Sequence, residues 1–148
     1  RVLFRSIIKL MNKYTREDFA KTYLPTGQIL ILDNVLEIHG NKILCEQLVT
    51  EDHWIFPHHF PNDPVFPGSL MIEAAGQTIA IWGWEQGLRG KPRLVKCNAE
   101  FIVPIPPGNF SILYRGTVSK RKNVCLGTID VCVNDKITGV ISQTVVIL

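Results

Sequence analysis

The sequence has few cysteines, four in all, and none lies in the C-x-x-C spacing that zinc ribbons and thiol redox sites use. Three of them, Cys45, Cys125 and Cys132, lie in β-rich alternating stretches, where a free thiol packs as a small hydrophobic group. We therefore expect mostly core thiols, no metal site, and a protein that works in a reducing cytoplasm.

Long apolar runs and a strong net charge are also missing. The longest apolar stretch, 74–84, is interrupted by Gly76, Gln77 and Thr78 and is too short to cross a bilayer, so we expect no membrane segment. Sixteen Lys and Arg against thirteen Asp and Glu give a net charge of +3, which is too weak to indicate a nucleic-acid partner.

Length and composition favour one domain. A chain of 148 residues with 46% hydrophobic content is enough for a single core, predicted to span 11–148. Residues 1–10 carry three basic side chains among short apolar groups and are interpreted as a tag remnant or an extension. Because the chain starts at Arg1, Met11 is a candidate natural start.

What the sequence does have is a helix that is predicted to be apolar on every side, from Gly68 to about Trp84. Glu73 is its only charged residue before Glu85. A buried, unpartnered carboxylate is costly, so Glu73 must be paired, protonated or facing a cavity. Gln77 lies four residues on, on the same face, where its amide can orient the carboxyl. A purely structural role for Glu73, capping backbone or pairing with a core Arg, is the alternative.

A proline-rich loop precedes this helix and contains two adjacent histidines. Pro61, Pro64 and Pro67 fix φ and disfavour helix in the residue before them, so we expect the segment 59–66 to be extended and rigid. His58 and His59 then point to opposite sides, and at most one faces a cavity. A metal site is a weaker interpretation, because no familiar zinc spacing is formed by the candidate ligands His53, His58, His59, Glu51, Asp52 and Asp63.

Turn residues divide the rest of the chain into short elements. Thr15, followed by Glu17 and Asp18, predicts the capped start of a short helix that ends before Pro25. A hairpin turn is predicted at 39–41. The strands are predicted at 28–38, 42–50, 93–103, 110–119, 124–133 and 137–148. A sheet of about six antiparallel strands can bury one long helix only by curving around it, which is an α+β arrangement.

The loop and the helix together resemble a known family. The segments 59–61 and 63–68, with Leu70, Glu73-Ala74 and Gln77, closely resemble the pattern H-F-x-x-x-P-V-x-P-G followed by L-x-x-[ED]-A-x-x-Q. This is the pattern of the hot-dog-fold 3-hydroxyacyl-[acyl-carrier-protein] dehydratases of fatty acid synthesis. The resemblance covers about residues 20–148, with Leu24-Pro25 and 29–33 similar to the family's first strand.

Two branches of the family are blended in these residues. Glu73 resembles the branch that only dehydrates, whereas Trp54 and Asp63-Pro64 resemble the branch that also isomerises a double bond. Isomerase activity is therefore left open. The sequence departs from the family pattern at His58, Asn62 and Asn109, and none of these departures removes a catalytic group.

The resemblance implies a fold, a reaction and a site. It implies a hot-dog fold, a sheet wrapped around one central helix, and a cofactor-free dehydratase acting on 3-hydroxyacyl chains held by acyl carrier protein. His59 is the expected base and Glu73 the expected acid, from different subunits of a homodimer or of a higher assembly of dimers. The Val65 carbonyl is expected to orient His59, and the Gly68 N–H, at the positive end of the helix, to bind the thioester carbonyl.

Further expectations concern the acyl path, the carrier protein and other functions. Phe60, Phe66 and Pro67 are expected along the acyl path, with core packing as the alternative for the two phenylalanines. An acidic carrier protein can meet either of two basic clusters, unless these are ordinary solvated faces; they comprise Arg89, Lys91, Arg93 and Lys96, and Lys120, Arg121 and Lys122. A thioesterase, a dehydratase-isomerase and a non-catalytic acyl-binding subunit are the alternative functions.

Overall fold

A computed structural model describes residues 12–148 as one long helix against one antiparallel sheet. The helix, α1, spans Gly68–Glu85. The strands are β1 (Tyr14–Thr15), β2 (Asn34–His39), β3 (Lys42–Val49), β4 (Pro92–Phe101), β5 (Phe110–Arg121), β6 (Val124–Val133) and β7 (Lys136–Ile147). The predicted extension at 1–10 and the candidate start at Met11 lie outside the described residues.

The sheet curves around the helix. Its strand order is β1-β2-β3-β5-β6-β7-β4, and α1 contacts β3, β4, β5, β6 and β7. One helix can touch five strands only if the sheet wraps around it. Six strands have ordinary lengths and β1 has two residues, so the predicted α+β arrangement of about six strands around one helix is confirmed.

The core lies between α1 and the inner face of the sheet. Inward side chains alternate along the strands, and the predicted core thiols Cys45, Cys125 and Cys132 are all buried. A Cβ at Gly127 would lie 2.6 Å from Ile79 Cγ1, so a glycine on β6 lets the helix approach the sheet closely. Trp82 is buried and packs in this core, donating its indole N–H to the carbonyl of Gly40 at 2.9 Å.

The prediction of a strand at 28–38 is wrong in its first half. Residues Gly27–Ile29 form a 3₁₀ helix, and β2 begins only at Asn34. The Gln77 side chain explains the difference, because its amide bonds the Ile29 carbonyl and the N–H groups of Ile31 and Leu32. These backbone groups therefore have a partner without a neighbouring strand.

The helix predicted to start after Thr15 is present as a 3₁₀ helix, Arg16–Lys21, and ends before Pro25 as expected. The Asp18 carboxylate accepts a hydrogen bond from the Thr15 N–H at 2.9 Å, which caps its first turn. The turn between β6 and β7 has positive φ at both Asn134 and Asp135 (49° and 67°), the geometry of a tight two-residue hairpin.

Strand β4 lies at one edge of the sheet and is hydrogen-bonded to β7 along one side only. Two adjacent apolar side chains of this strand are exposed, with 52% of Leu94 and 62% of Val95 open to solvent between the exposed Arg93 and Lys96. Such an edge is a surface on which another chain can pair. Within residues 12–148 no helix is both long and apolar enough to span a membrane.

Candidate active site

The histidine-bearing loop makes a tight turn at 60–63, so the prediction that 59–66 is extended is wrong over these residues. The N–H of Asp63 donates to the Phe60 carbonyl at 3.1 Å, and the N–H of Phe60 donates back to Asp63 at 3.0 Å. Pro61 occupies the turn position where its fixed φ is favourable. The N–H of Val65 then donates to the His59 carbonyl at 2.8 Å, which brings Val65 beside His59.

The turn holds the imidazole of His59 in one orientation. Its Nδ1 lies 2.9 Å from the Val65 carbonyl oxygen, and a carbonyl can only accept, so Nδ1 carries the proton and donates it. In the neutral ring, Nε2 is then a free acceptor. The Phe60 ring stacks on the imidazole with 4.2 Å between ring centroids. His59 is half-buried, whereas His58 is exposed.

Glu73 and Gln77 lie one turn apart on α1 and are bonded to each other. The Gln77 oxygen accepts from the N–H groups of Ile31 and Leu32, at 3.0 and 3.3 Å. Because those partners can only donate, the amide cannot be reversed, and its nitrogen must face Glu73. That nitrogen donates to Glu73 Oε2 at 2.9 Å and to the Ile29 carbonyl at 2.7 Å. Gln77 thus fixes the orientation of the Glu73 carboxyl through Oε2 and makes no hydrogen bond to its Oε1.

Glu73 opens onto a cavity of about 160 Å³ along one face of α1. The cavity is lined by Pro25, Ser69, Ile72, Glu73, Gly76, Gln77, Pro92, Leu94, Gln143 and Val145. Among the described residues of one protomer, the loop 56–67 contributes nothing to this lining. A single protomer therefore brings Glu73 and Gln77 together but does not place His59 in the same cavity.

Gly68 is the first residue of α1 and follows Pro67 directly. No carbonyl in the described part of the chain accepts a hydrogen bond from its N–H, which is one of the free donors at a helix start. A Cβ here would lie 2.6 Å from the Phe101 ring, so any other residue would have to displace that ring. Ser69, beside it, lines the Glu73 cavity.

The residues expected along the acyl path differ in their surroundings. Phe60 is 53% exposed, whereas Phe66 is 2% exposed and packs edge-on against His53 and Phe56. Phe66 is therefore a core residue within the protomer, the alternative that its sequence context left open. Pro67 is buried at the start of α1. Burial lowers the pKa of His53, while Asp33 and Asp52 oppose the shift.

The histidine-rich loop does not gather metal ligands. Across residues 12–148, no three side chains of His, Cys, Asp or Glu lie close enough to hold a metal ion. His53 instead stacks on Trp54, with 5.6 Å between ring centroids, and accepts the N–H of Ile55 at 3.2 Å.

The two basic clusters lie at the same end of the sheet. Arg93 on β4 pairs with Val146 on β7, Val146 with Val124 on β6, and Val124 with Arg121 on β5. The guanidinium of Arg89 lies 4.6 Å from the centre of the Trp84 ring and donates to the Trp84 carbonyl. The exposed members of this basic end are Arg89, Lys91, Arg93, Lys96, Lys120, Arg121 and Lys122.

Besides the exposed Ser69, sequence reasoning missed one polar residue of the cavity, the buried Gln143. It lies on β7 between the inward residues Ile141 and Val145, and it is 4% exposed. The signal was present, because the alternation of β7 puts position 143 on the buried face and a glutamine there needs an explanation.

A family comparison places this site in a known context. The model of the FabA-like domain matches residues 24–141, well over half of the chain. The chain belongs to the FabA-like family. Curated relatives named 3-hydroxyacyl-[acyl-carrier-protein] dehydratase FabZ include the protein of Brucella abortus strain S19, 30% identical over 112 residues, with 68% of this chain and 70% of that protein covered. The Zymomonas mobilis protein is 32% identical over 117 residues, covering 75% of this chain and 74% of that one.

Solved structures show that this FabA-like chain has the hot-dog fold. The dehydratase heterocomplex ApeI:P from Xenorhabdus doucetiae gives a TM-score of 0.70 at 14% identity, over 86% of this chain and 90% of the other. The zebra fish thioesterase superfamily member 2 gives 0.66 at 18% identity, over 90% and 95%. At such identities these likenesses show the fold alone.

Proposed function

We propose that this FabA-like domain removes water from 3-hydroxyacyl thioesters on acyl carrier protein and forms trans-2-enoyl thioesters. The observation that carries the proposal is the pair of oriented groups: His59, with Nε2 free, and Glu73, held by Gln77 beside a cavity. An elimination needs one base and one acid near the same substrate. The FabZ relatives carry the same reaction in their names.

His59 is the proposed base. Its Nε2 takes a proton from C2 of the substrate, and the Val65 carbonyl stabilises the imidazolium through Nδ1–H. The electrons released at C2 spread onto the thioester carbonyl oxygen. The Gly68 N–H, free at the positive end of α1, is the proposed donor to that oxygen.

Glu73 is the proposed acid. Gln77 donates to its Oε2, so the proton to be transferred belongs on Oε1. As the C3–O bond breaks, this proton passes to the departing hydroxyl and water leaves, while C2 and C3 become doubly bonded. The proton gained by His59 then returns to Glu73 and restores both groups for the next turnover.

We also propose that two protomers build each site by pairing their β4 edges. The edge of β4 that is not bonded to β7 offers the pairing surface, with Leu94 and Val95 exposed. Leu94 and Pro92 also line the Glu73 cavity, so a partner on this edge comes directly beside the acid. The partner's loop can then supply the base that the cavity lacks within one protomer.

Incubation of the purified protein with a 2-enoyl thioester tests the activity, run in the hydration direction. The expected result is loss of enoyl absorbance and formation of the 3-hydroxyacyl thioester, identified by mass. Release of a free thiol instead would indicate a thioesterase. No reaction with carrier-protein and pantetheine thioesters of several lengths would leave only an acyl-binding role.

The basic end of the sheet is the proposed docking surface for the acidic carrier protein. Arg89, Lys91 and Arg93 are exposed beside Pro92, which lines the Glu73 cavity, so a carrier bound there can insert its acyl arm. Replacing all three by Gln should raise KM for carrier-bound substrate about tenfold at low salt, because exposed charges mainly steer encounter.

Two controls make this prediction specific. KM for a pantetheine thioester should be unchanged, and the same loss of three positive charges at Lys21, Lys42 and Lys136 should have little effect on either substrate. If the Arg89, Lys91 and Arg93 variant raised KM equally for both substrates, these three residues would act at the acyl cavity rather than at a docking surface.

We further propose that the protein works in the cytoplasm. Its four cysteines are all free thiols, which is typical of a reducing compartment.

A further inference from the structure

Gln143 brings an unpaired polar atom to the wall of the Glu73 cavity. It lies on β7, paired with Gly127 of β6 and Cys97 of β4, and faces α1. Its Nε2 donates to the Ile72 carbonyl at 2.8 Å. Since that carbonyl can only accept, the amide cannot be reversed, and Oε1 must point away from Ile72.

The oxygen of this amide has no partner. Gln143 is 4% exposed, and its Oε1 is buried without a hydrogen bond. A Cβ at Gly76 would lie 3.2 Å from it, so the oxygen lies directly over that glycine. Buried acceptors are almost always paired, because leaving one unpaired costs stability, and an exception therefore needs a functional reason.

The position of the Gln143 amide in the cavity that Glu73 also lines indicates which hydrogen-bond donor its oxygen meets. Gln77 lies on α1 with Glu73 and is bonded to the segment 29–32, whereas Gln143 reaches the cavity from β7, so both amides line the cavity onto which Glu73 opens. Gln77 presents a nitrogen to Glu73, whereas Gln143 keeps an unused oxygen. Ile72, Leu94 and Val145 give the lining apolar side chains, and Ser69 is its remaining polar residue.

We propose that Gln143 is a further substrate-binding residue, whose Oε1 accepts a hydrogen bond from the C3 hydroxyl of the substrate. This inference rests on the proposed dehydration, in which that hydroxyl must come to Glu73. The hydroxyl oxygen then accepts the Glu73 proton while its own hydrogen points to Gln143. The last torsion of a glutamine side chain is soft, so rotation of the amide is the movement that brings the buried Oε1 to the substrate hydroxyl.

Recognition by an acceptor gives a selectivity that packing alone does not. A saturated acyl thioester of the same length fills the same space but leaves Oε1 unpaired, so the wild-type site should favour the 3-hydroxyacyl ligand. Gln143→Met keeps the length of the side chain and removes the oxygen. It should weaken the hydroxyacyl ligand about fivefold and leave the saturated one unchanged or tighter.

The test measures both dissociation constants by calorimetry in a His59→Ala background, where the hydroxyacyl ligand should react about 10³-fold more slowly. The dissociation constant of the saturated ligand divided by that of the hydroxyacyl ligand should fall about fivefold when Gln143 is replaced by Met. Equal changes for both ligands, or none, would overturn the proposal and leave Gln143 as a packing residue. If the methionine variant does not fold, Gln143→Asn serves instead, because it withdraws the oxygen by one methylene and should lower the same ratio of dissociation constants.

Turnover by the protein with His59 intact separates this proposal from the reaction itself. If the protein is inert but the ratio of dissociation constants still changes with Gln143→Met, the dehydration is refuted and the hydrogen bond to Gln143 is supported. If the protein is active but the ratio does not change, the dehydration is supported and the hydrogen bond is refuted.

Discussion

His59→Ala should lower kcat for dehydration about 10³-fold, because the variant has no group to take the C2 proton. KM should change little, since the imidazole acts on a bond that breaks only in the transition state. The measurement is steady-state kinetics in both directions with a pantetheine thioester, which avoids any effect on carrier docking. Circular dichroism and the unfolding midpoint should match the wild-type protein.

His58→Ala is the matched control for this prediction. The two histidines are neighbours, but His58 is exposed, whereas His59 is held on the Val65 carbonyl. The His58 variant should keep most of the activity. Loss of turnover in the His58 variant with full activity in the His59 variant would reverse the assignment of the base.

The sequence was a good guide wherever function depends on residues close together in the chain. Glu73 and Gln77 are one helical turn apart, and their hydrogen bond follows from that spacing. Glu73 is half-buried at a cavity, one of the three states that its lone charge in an apolar helix allowed. Most strand bounds also followed from local patterns, within a few residues of those in the structure.

Local patterns failed where a distant side chain decides the backbone. The segment 28–33 reads as a strand, but Gln77 takes its hydrogen bonds from 45 or more residues away. The prolines of the loop favour extension, yet Pro61 also suits a turn, and the backbone pair between Phe60 and Asp63 selects it. The first outcome depends on the tertiary contacts of Gln77, whereas the turn rests on a backbone pair only three residues apart.

Register brought together residues that the sequence keeps apart. Arg93 and Arg121 looked like members of alternative docking clusters, but the pairing of β4, β7, β6 and β5 puts them at one end of the sheet. Likewise, Gln143 follows Glu73 by seventy residues and meets its cavity only because β7 packs on α1. Strand order, which composition does not encode, determines both the basic end of the sheet and the position of Gln143 at the cavity.

Glu73→Gln should lower kcat about 10³-fold with KM little changed, because the amide fills the same space but has no proton to give the departing hydroxyl. Glu85→Gln is the matched control on the same helix. Glu85 bonds Tyr14 and Lys13 and lies outside the cavity, so its variant should retain activity. A fully active Glu73 variant would exclude it as the acid.

Mixing the two inactive variants tests where the base and the acid come from. If His59 and Glu73 meet across a dimer, a mixed dimer of His59→Ala and Glu73→Gln chains has one intact site. Co-refolding equal amounts should then restore about a quarter of wild-type activity, since half of the randomly paired dimers are mixed and each has one working site of two. If both residues act within one protomer, every site keeps a defect and the mixture stays inactive. Recovery would therefore show that the cavity on α1 is completed by the neighbouring chain.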